Sequence, residues 1–388
     1  MKRVWLAAFL VLGSACGGTP STPVTAPSRS APAPAAAAPR APYDAPPGAA
    51  HSISIHIDGI AAQEIIAALD RPRFELSDVR RIEDLTAVRI AIEDSGRPAE
   101  VFEHDFAAAF DDQTRTSVFD FRSIRHAREK WQPLMSAIAA RQDDIARIAS
   151  RRAAALLPTD RTVAANLRVA LVFGLAGLSD HLVVRRGEDE IMVVDLARAL
   201  GEGEGEVLDS QVSRLARLIA GVAFSQAWDI YRSQSPAWKG ADPSLGSLEP
   251  LLKAVATAGP ISLYTIDENF FPLSVWLRDP MRRALDDLNR RAERLVESRE
   301  NLEQRMELSA EMRKPDFLRR VAAPEGAFVA DAVAQHAGVD GLRSALAQGP
   351  RALFEAYDQA SQADKELVPL SKVIRQQLGV SRKAAPKP

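Results

Sequence analysis

Leu218-Ile219-Ala220-Gly221-Val222-Ala223-Phe224-Ser225-Gln226-Ala227-Trp228-Asp229-Ile230-Tyr231 is the stretch on which the fold turns. It sits inside a helical period covering residues 210–233 and is apolar nearly all round, the pattern of a helix crossing the middle of a domain. Gly221 in its interior costs around 1 kcal/mol against alanine, which calls for close backbone approach or a lost side chain. Downstream the helical spacing continues through residues 248–258 and 280–312, with three shorter helices expected after Pro324. Upstream, Ser52-Ile53-Ser54-Ile55-His56-Ile57 alternates strictly, as a half-buried strand does, and a helix over residues 61–69 should follow. Residues 122–157 read as one long helix ending before Pro158, and the short valine-rich runs 168–173 and 190–194 read as strands. Strands confined to the first half and helices filling the second predict an α+β fold, predominantly helical, with a small sheet in the first half.

The folded part is expected to occupy residues 51–380, with a mixed α/β part at 51–207 and a helical part at 208–380. A chain of 388 residues, 46% hydrophobic and 26% charged, can bury a sizeable core. The net charge of -2 carries no clustered basic balance, so nucleic acid is not an expected partner. With one cysteine no intramolecular disulfide can form, and packing alone must hold the core. Met281, Leu285, Leu288, Ala292, Leu295, Leu302 and Met306 fall on a four-three spacing that fits a coiled coil, interrupted by Arg299 and Ser309. A long helix covering its own core explains the same pattern and is preferred, because a dimer seam sustains its heptads. Oligomeric state stays open.

Lys2 and Arg3 precede an apolar run over residues 4–12 that is too short to span a bilayer, as in an export signal. Leu12-Gly13-Ser14-Ala15-Cys16 then resembles the lipobox of bacterial lipoproteins, although Gly13 stands where that family usually has leucine. The resemblance implies a signal peptide over residues 1–15, a lipid on Cys16 and attachment to a membrane. Gly17 in place of aspartate favours, by resemblance to Gram-negative sorting, the outer membrane. Residues 16–50 turn to Pro, Ala, Ser, Thr and Gly and read as a tether, extended at about 3.1 Å per residue where proline is dense. Residues 381–388 read as a frayed tail.

A search for chemistry starts with histidine, the commonest neutral metal ligand. His51 and His56 lie on or beside a strand on opposite faces, while His104, His126 and His336 stand apart. His181, after Asp180, is the most suggestive, since a loop carries it into the apolar run Leu182-Val183-Val184. A hydrogen-bonded structural histidine remains the commoner explanation. Serine-hydrolase elbows are absent from the sequence, and Gly201-Glu202-Gly203-Glu204-Gly205 would repel phosphate rather than cradle it. Asp286-Asp287 reads as a solvated face. The residues worth defending for a relocated hydrolytic site are Asp180, His181, Asp267 and Glu268.

The central stretch also resembles the helix of the gluzincin-type zinc-dependent peptidases, in which His-Glu-x-x-His follows small and aliphatic residues and precedes aromatic ones. Positions i and i+4 set both imidazoles on one face to hold zinc, and the glutamate activates the bound water. Laid on that pattern, Gly221 takes the first histidine's place, Val222 the glutamate's and Ser225 the second histidine's. The third ligand of these families, a glutamate before glycine, falls on Ala258 in Thr257-Ala258-Gly259-Pro260. The endings match as well: Gly326-Ala327-Phe328-Val329-Ala330-Asp331, then Gly349-Pro350-Arg351-Ala352-Leu353-Phe354-Glu355-Ala356-Tyr357. The resemblance covers about half the chain and implies a peptidase scaffold without zinc or any other cofactor, without hydrolysis, and with a peptide or protein partner. An unrelated helical core, an active hydrolase with a relocated site, and an assembly lipoprotein acting through its long helix stay as alternatives.

Overall fold

The computed structural model describes residues 51–111, 117–176, 179–187, 189–201, 208–266, 275–298, 301–312, 314, 317 and 321–380. The fold is α+β and predominantly helical, with one small sheet in the first half, as the segregation of strand and helix patterns predicts.

The sheet has the order β1-β2-β4-β3, built from β1 (Ser52–Asp58), β2 (Ala164–Val172), β3 (His181–Arg186) and β4 (Asp189–Asp195). β1 and β2 are parallel, with Ile53 opposite Ala165 and Ile57 opposite Val169. Parallel neighbours need a crossover, and the whole helical segment between them supplies it: α1 (Ile60–Leu69), α2 (Leu76–Glu83), α3 (Thr86–Ser95), α4 (Ala99–Ala108), α5 (Phe121–His126), α6 (Arg128–Ala140) and α7 (Gln142–Ala154). The single helix expected over residues 122–157 is therefore three, parted at Ala127 and Arg141, where the backbone leaves helical geometry. The apolar run Leu182-Val183-Val184, to which the sequence assigns no strand, is the middle of β3. The strand pairs antiparallel with β4 from His181 opposite Val194 to Arg186 opposite Asp189. Gly187, at φ 64°, turns the chain between them, a backbone state that favours glycine.

One edge of the sheet is closed by side chains. Ser150 of α7 donates to the Ile53 carbonyl at 2.8 Å, and Gln142 at the start of the same helix donates to the Ile57 carbonyl. Two carbonyls on the free side of β1 are thereby satisfied, and α7 packs along that edge.

After β4 come α8 (Leu196–Leu200) and the central helix α9 (Leu208–Gln234). α9 packs against β2 and α7 and buries Val212, Leu215, Ile219, Phe224, Trp228 and Tyr231. The aromatic rings of Phe224, Trp228 and Tyr231 stack in sequence along it, at 6.2 and 5.4 Å between centroids. The short α10 (Pro236–Lys239) sets Trp238 edge-on to Trp228 at 4.9 Å.

α11 (Glu249–Ile266) and α12 (Val275–Glu297) lead to α13 (Leu302–Met312), and the chain closes with α14 (Ala323–Gln348), α15 (Pro350–Ala363) and α16 (Lys372–Gln377). The helix expected over residues 280–312 is interrupted after Glu297, so Met281, Leu285, Leu288, Ala292 and Leu295 share α12 while Met306 lies on α13. The five on α12 are buried within this chain, and Met306 is 64% exposed. α14 carries a break at Gly338, φ 75°, inside its length.

Candidate functional site

Four stretches far apart in sequence are linked in a series of contacts that starts at α9: α11 packs on α9, α14 on α11, and α15 on both α14 and α11. The indole N–H of Trp228 donates to the Thr257 carbonyl at 3.1 Å, and Arg232, one turn on, reaches the Thr257 hydroxyl at 3.4 Å. α11 then crosses α14 at glycine on glycine. A Cβ added at Gly259 would lie 2.3 Å from the carbonyl group of Gly326, and one added at Gly326 would lie 2.2 Å from the Val255 oxygen. No residue with a side chain fits either place without moving backbone. The indole of Trp238 donates to the Leu346 carbonyl at 2.8 Å, tying the end of α14 to α10. Gly349, at φ 101°, brings the start of α15 against Ala237.

Gly221, Val222 and Ser225 lie on α9 and Ala258 on α11, and all four are half-buried rather than sealed in the core. Ala258 directly follows the Thr257 that Trp228 and Arg232 hold, so the second helix reaches α9 one turn beyond Ser225. Gly221 and Ala258 carry no donor atom and Val222 no base, so these places as they stand neither hold zinc nor activate water. Among the described residues no three His, Cys, Asp or Glu side chains stand together as a metal site.

The same face of α9 carries one acid, Asp229, and it acts on a second, Glu190 of β4. Asp229, four residues after Ser225, bonds Arg232 and acts electrostatically on Glu190 of β4. The Glu190 carboxyl is held above the ordinary glutamate range, first by burial and then by the Asp229 charge. α9 packs on β2, and β4 lies beside β2 in the sheet; that arrangement brings the two together, and no spacing in the sequence signals it.

A second cluster lies at the carboxyl ends of the parallel strands β2 and β4, where open α/β sheets form their crevices. His181 Nδ1 and Asp180 Oδ1 are 2.7 Å apart, both residues nearly buried. The Asp195 amide donates to the Asp180 carbonyl at 2.9 Å. Asp195 accepts from the Leu175 amide at 2.8 Å and from the Ala197 amide at 3.0 Å, capping α8, with Arg198 3.4 Å away. Burial raises the Asp195 carboxyl despite these bonds, which pull the other way. Its oxygens are thus engaged in holding the loop after β2, whereas Asp180 orients a histidine ring. Asp267 and Glu268 lie outside the described residues.

The remaining histidines stay apart. His51 accepts from the Val163 amide at 3.3 Å, and its pKa is lowered by burial first and by Arg343 second. His56 and His336 are exposed, His104 stands 3.6 Å from Asp105, and His126 is 2.8 Å from the Arg122 carbonyl. Cys16 precedes the described residues, and residues 202–207, which hold most of the glycine-glutamate repeat, also lie outside them.

No family model matches this chain, and no curated protein or solved structure does.

Proposed function

We propose that this chain is a lipid-anchored protein of the cell envelope, most consistent with the outer membrane, whose peptidase-like domain binds a peptide or protein partner without cutting it. The observation that carries the reading is the convergence of α9, α11, α14 and α15. The stretches that resemble the peptidases in sequence are joined contact by contact through Trp228 on Thr257, Gly259 on Gly326, and Phe328 on Tyr357. A chance likeness in four separate segments gives no reason for them to pack on one another. The half-exposed setting of Gly221, Val222, Ser225 and Ala258 adds support, because it leaves a surface for a partner where a filled core would leave none.

The test is to restore the four side chains together as Gly221→His, Val222→Glu, Ser225→His and Ala258→Glu, then to measure zinc by elemental mass spectrometry. The scaffold reading expects about one zinc per folded chain in the variant and none in the parent. A folded variant without zinc would remove the peptidase scaffold from consideration. Zinc in the parent, with chelator-sensitive peptide cleavage, would overturn the non-cutting part. Anchoring is tested separately: Cys16→Ser should move the protein from the membrane to the soluble fraction.

The bond between Asp180 and His181 favours a second reading, a hydrolase whose base is that oriented imidazole. It predicts peptide or ester cleavage lost on His181→Gln, in a protein that keeps its fold.

A further inference from the structure

Glu325 stands in the first turn of α14 with 0% of its surface exposed, and neither carboxylate oxygen has a hydrogen-bond partner. Burial without a partner strongly disfavours an ionised carboxylate, so the group is held there as the neutral acid. The natural cation for it is close by but turned elsewhere. Arg291 of α12 places Nη1 2.9 Å from Glu311 of α13, at the partly exposed end of its reach, with its guanidinium carbon 5.5 Å from the centre of the Phe317 ring. Its Nε is buried and without an acceptor. α12 packs on α14, so one guanidinium is bonded to the outer carboxylate of Glu311 while its charge also acts on the inner one of Glu325, to which it makes no hydrogen bond.

We propose that Arg291 is a two-position latch, bonding Glu311 while α13 is docked and turning inward to Glu325 when α13 lifts away. The inward position satisfies both groups left unpaired in the docked state. It requires Glu325 to ionise, so each opening releases one proton to solvent. The charges acting on Glu325 are Arg291, which favours the carboxylate, and Asp287, one turn earlier on α12, which opposes it. Burial is the largest influence and lifts its pKa from 4.5 to about 9 in the docked state. From the other helices on α14, α11 brings Val255 and Gly259 against Gly326, and α15 sets Tyr357 beside Phe328, so neither offers this carboxyl a cation. α13 packs on α11, and its Leu308 and Met312 are nearly buried, so lifting it uncovers apolar surface beside the helix that carries Ala258. Opening is thus favoured by higher pH and by anything that holds those apolar residues.

Hydrogen exchange measured on the full lipidated chain in detergent micelles tests the latch, with wild type compared to Glu325→Gln at each pH so that intrinsic amide chemistry cancels. Between about pH 6 and about pH 8, exchange in residues 302–312 should rise in wild type relative to the variant by up to about tenfold per pH unit, the slope of a one-proton opening. Glu311→Gln, which releases the outer bond and leaves the core intact, should speed exchange of α13 at every pH. A wild-type to variant ratio that does not change with pH would overturn the proposal. So would a rise shared equally by residues 323–348, which would mean general loosening, or an α13 indifferent to Glu311→Gln.

Discussion

Single residues in this molecule fall into groups that hold a turn and groups left unsatisfied. Asp195 belongs to the first kind, with the amides of Leu175 and Ala197 on its oxygens and Arg198 alongside. Replacing it by alanine removes a helix cap and orphans a buried amide, and we expect a loss of about 2–3 kcal/mol in chemical denaturation. Glu325 belongs to the second kind. Its folded pKa, about 9, lies above the ordinary 4.5, so it binds its proton more tightly in the folded state. The stability this contributes is complete below the unfolded value and is lost as pH rises through the folded one. Wild type should therefore lose stability relative to Glu325→Gln across that window, by at most about 1.4 kcal/mol per pH unit, in urea melts run at a series of pH values. Equal slopes for the two proteins would show that the carboxyl is already ionised. Neither role was legible from the chain: Asp195 ends a strand and Glu325 follows a proline, and nothing in either neighbourhood tells which acid will be buried. His181 with Asp180 was legible as a pair, because adjacency in sequence put the two side chains within reach, but its burial was not.

Elements were legible where a period ran long. The apolar stretch of α9 and the alternation of β1 declared themselves, since one face or both had to be buried. Three helices between α1 and α5 went unread because each is short, and β3 because two of its six residues, Arg185 and Arg186, are exposed and charged. The break between α12 and α13 was hidden by a spacing that stays in phase across it. For the candidate site, the sequence supplied the positions on α9 and α11 but not the means by which the helices meet. That means is glycine. Gly259 and Gly326 let two backbones touch, and alanine at either should force them apart and cost about 3 kcal/mol, seen as a lowered Tm. An alanine variant as stable as the parent would show that the crossing has room to spare.

At the scale of the whole molecule, the heptad-like seam is spent inside one chain. Leu285, Leu288 and Ala292 are fully buried, against helices of the same domain. Leu288→Asp should accordingly unfold the second half of the protein, with a fall in helical signal. Dissociation of an intact dimer into folded halves, detected by light scattering, would contradict this. Composition carried the broad class, since so apolar a chain with strands only early must fold with a small sheet beside many helices. It could not carry the topology, because β1 waits more than a hundred residues for its partner β2 and no local signal spans that gap.

That distant pairing has a mechanical side. β1 is the first described element after residues 1–50, and it lies parallel to β2 with ladder partners from Ser52 to Asp58. On the proposed anchoring at Cys16, a pull from that end would enter the fold lengthwise along this strand, so the rungs would share the tension instead of parting one after another. Ser150 and Gln142 grip the other side of the strand from α7. The first described strand is thereby the one clamped from both sides, and under a load applied from the N-terminal side it should yield late, at the force of a sheared sheet rather than that of a peeled one.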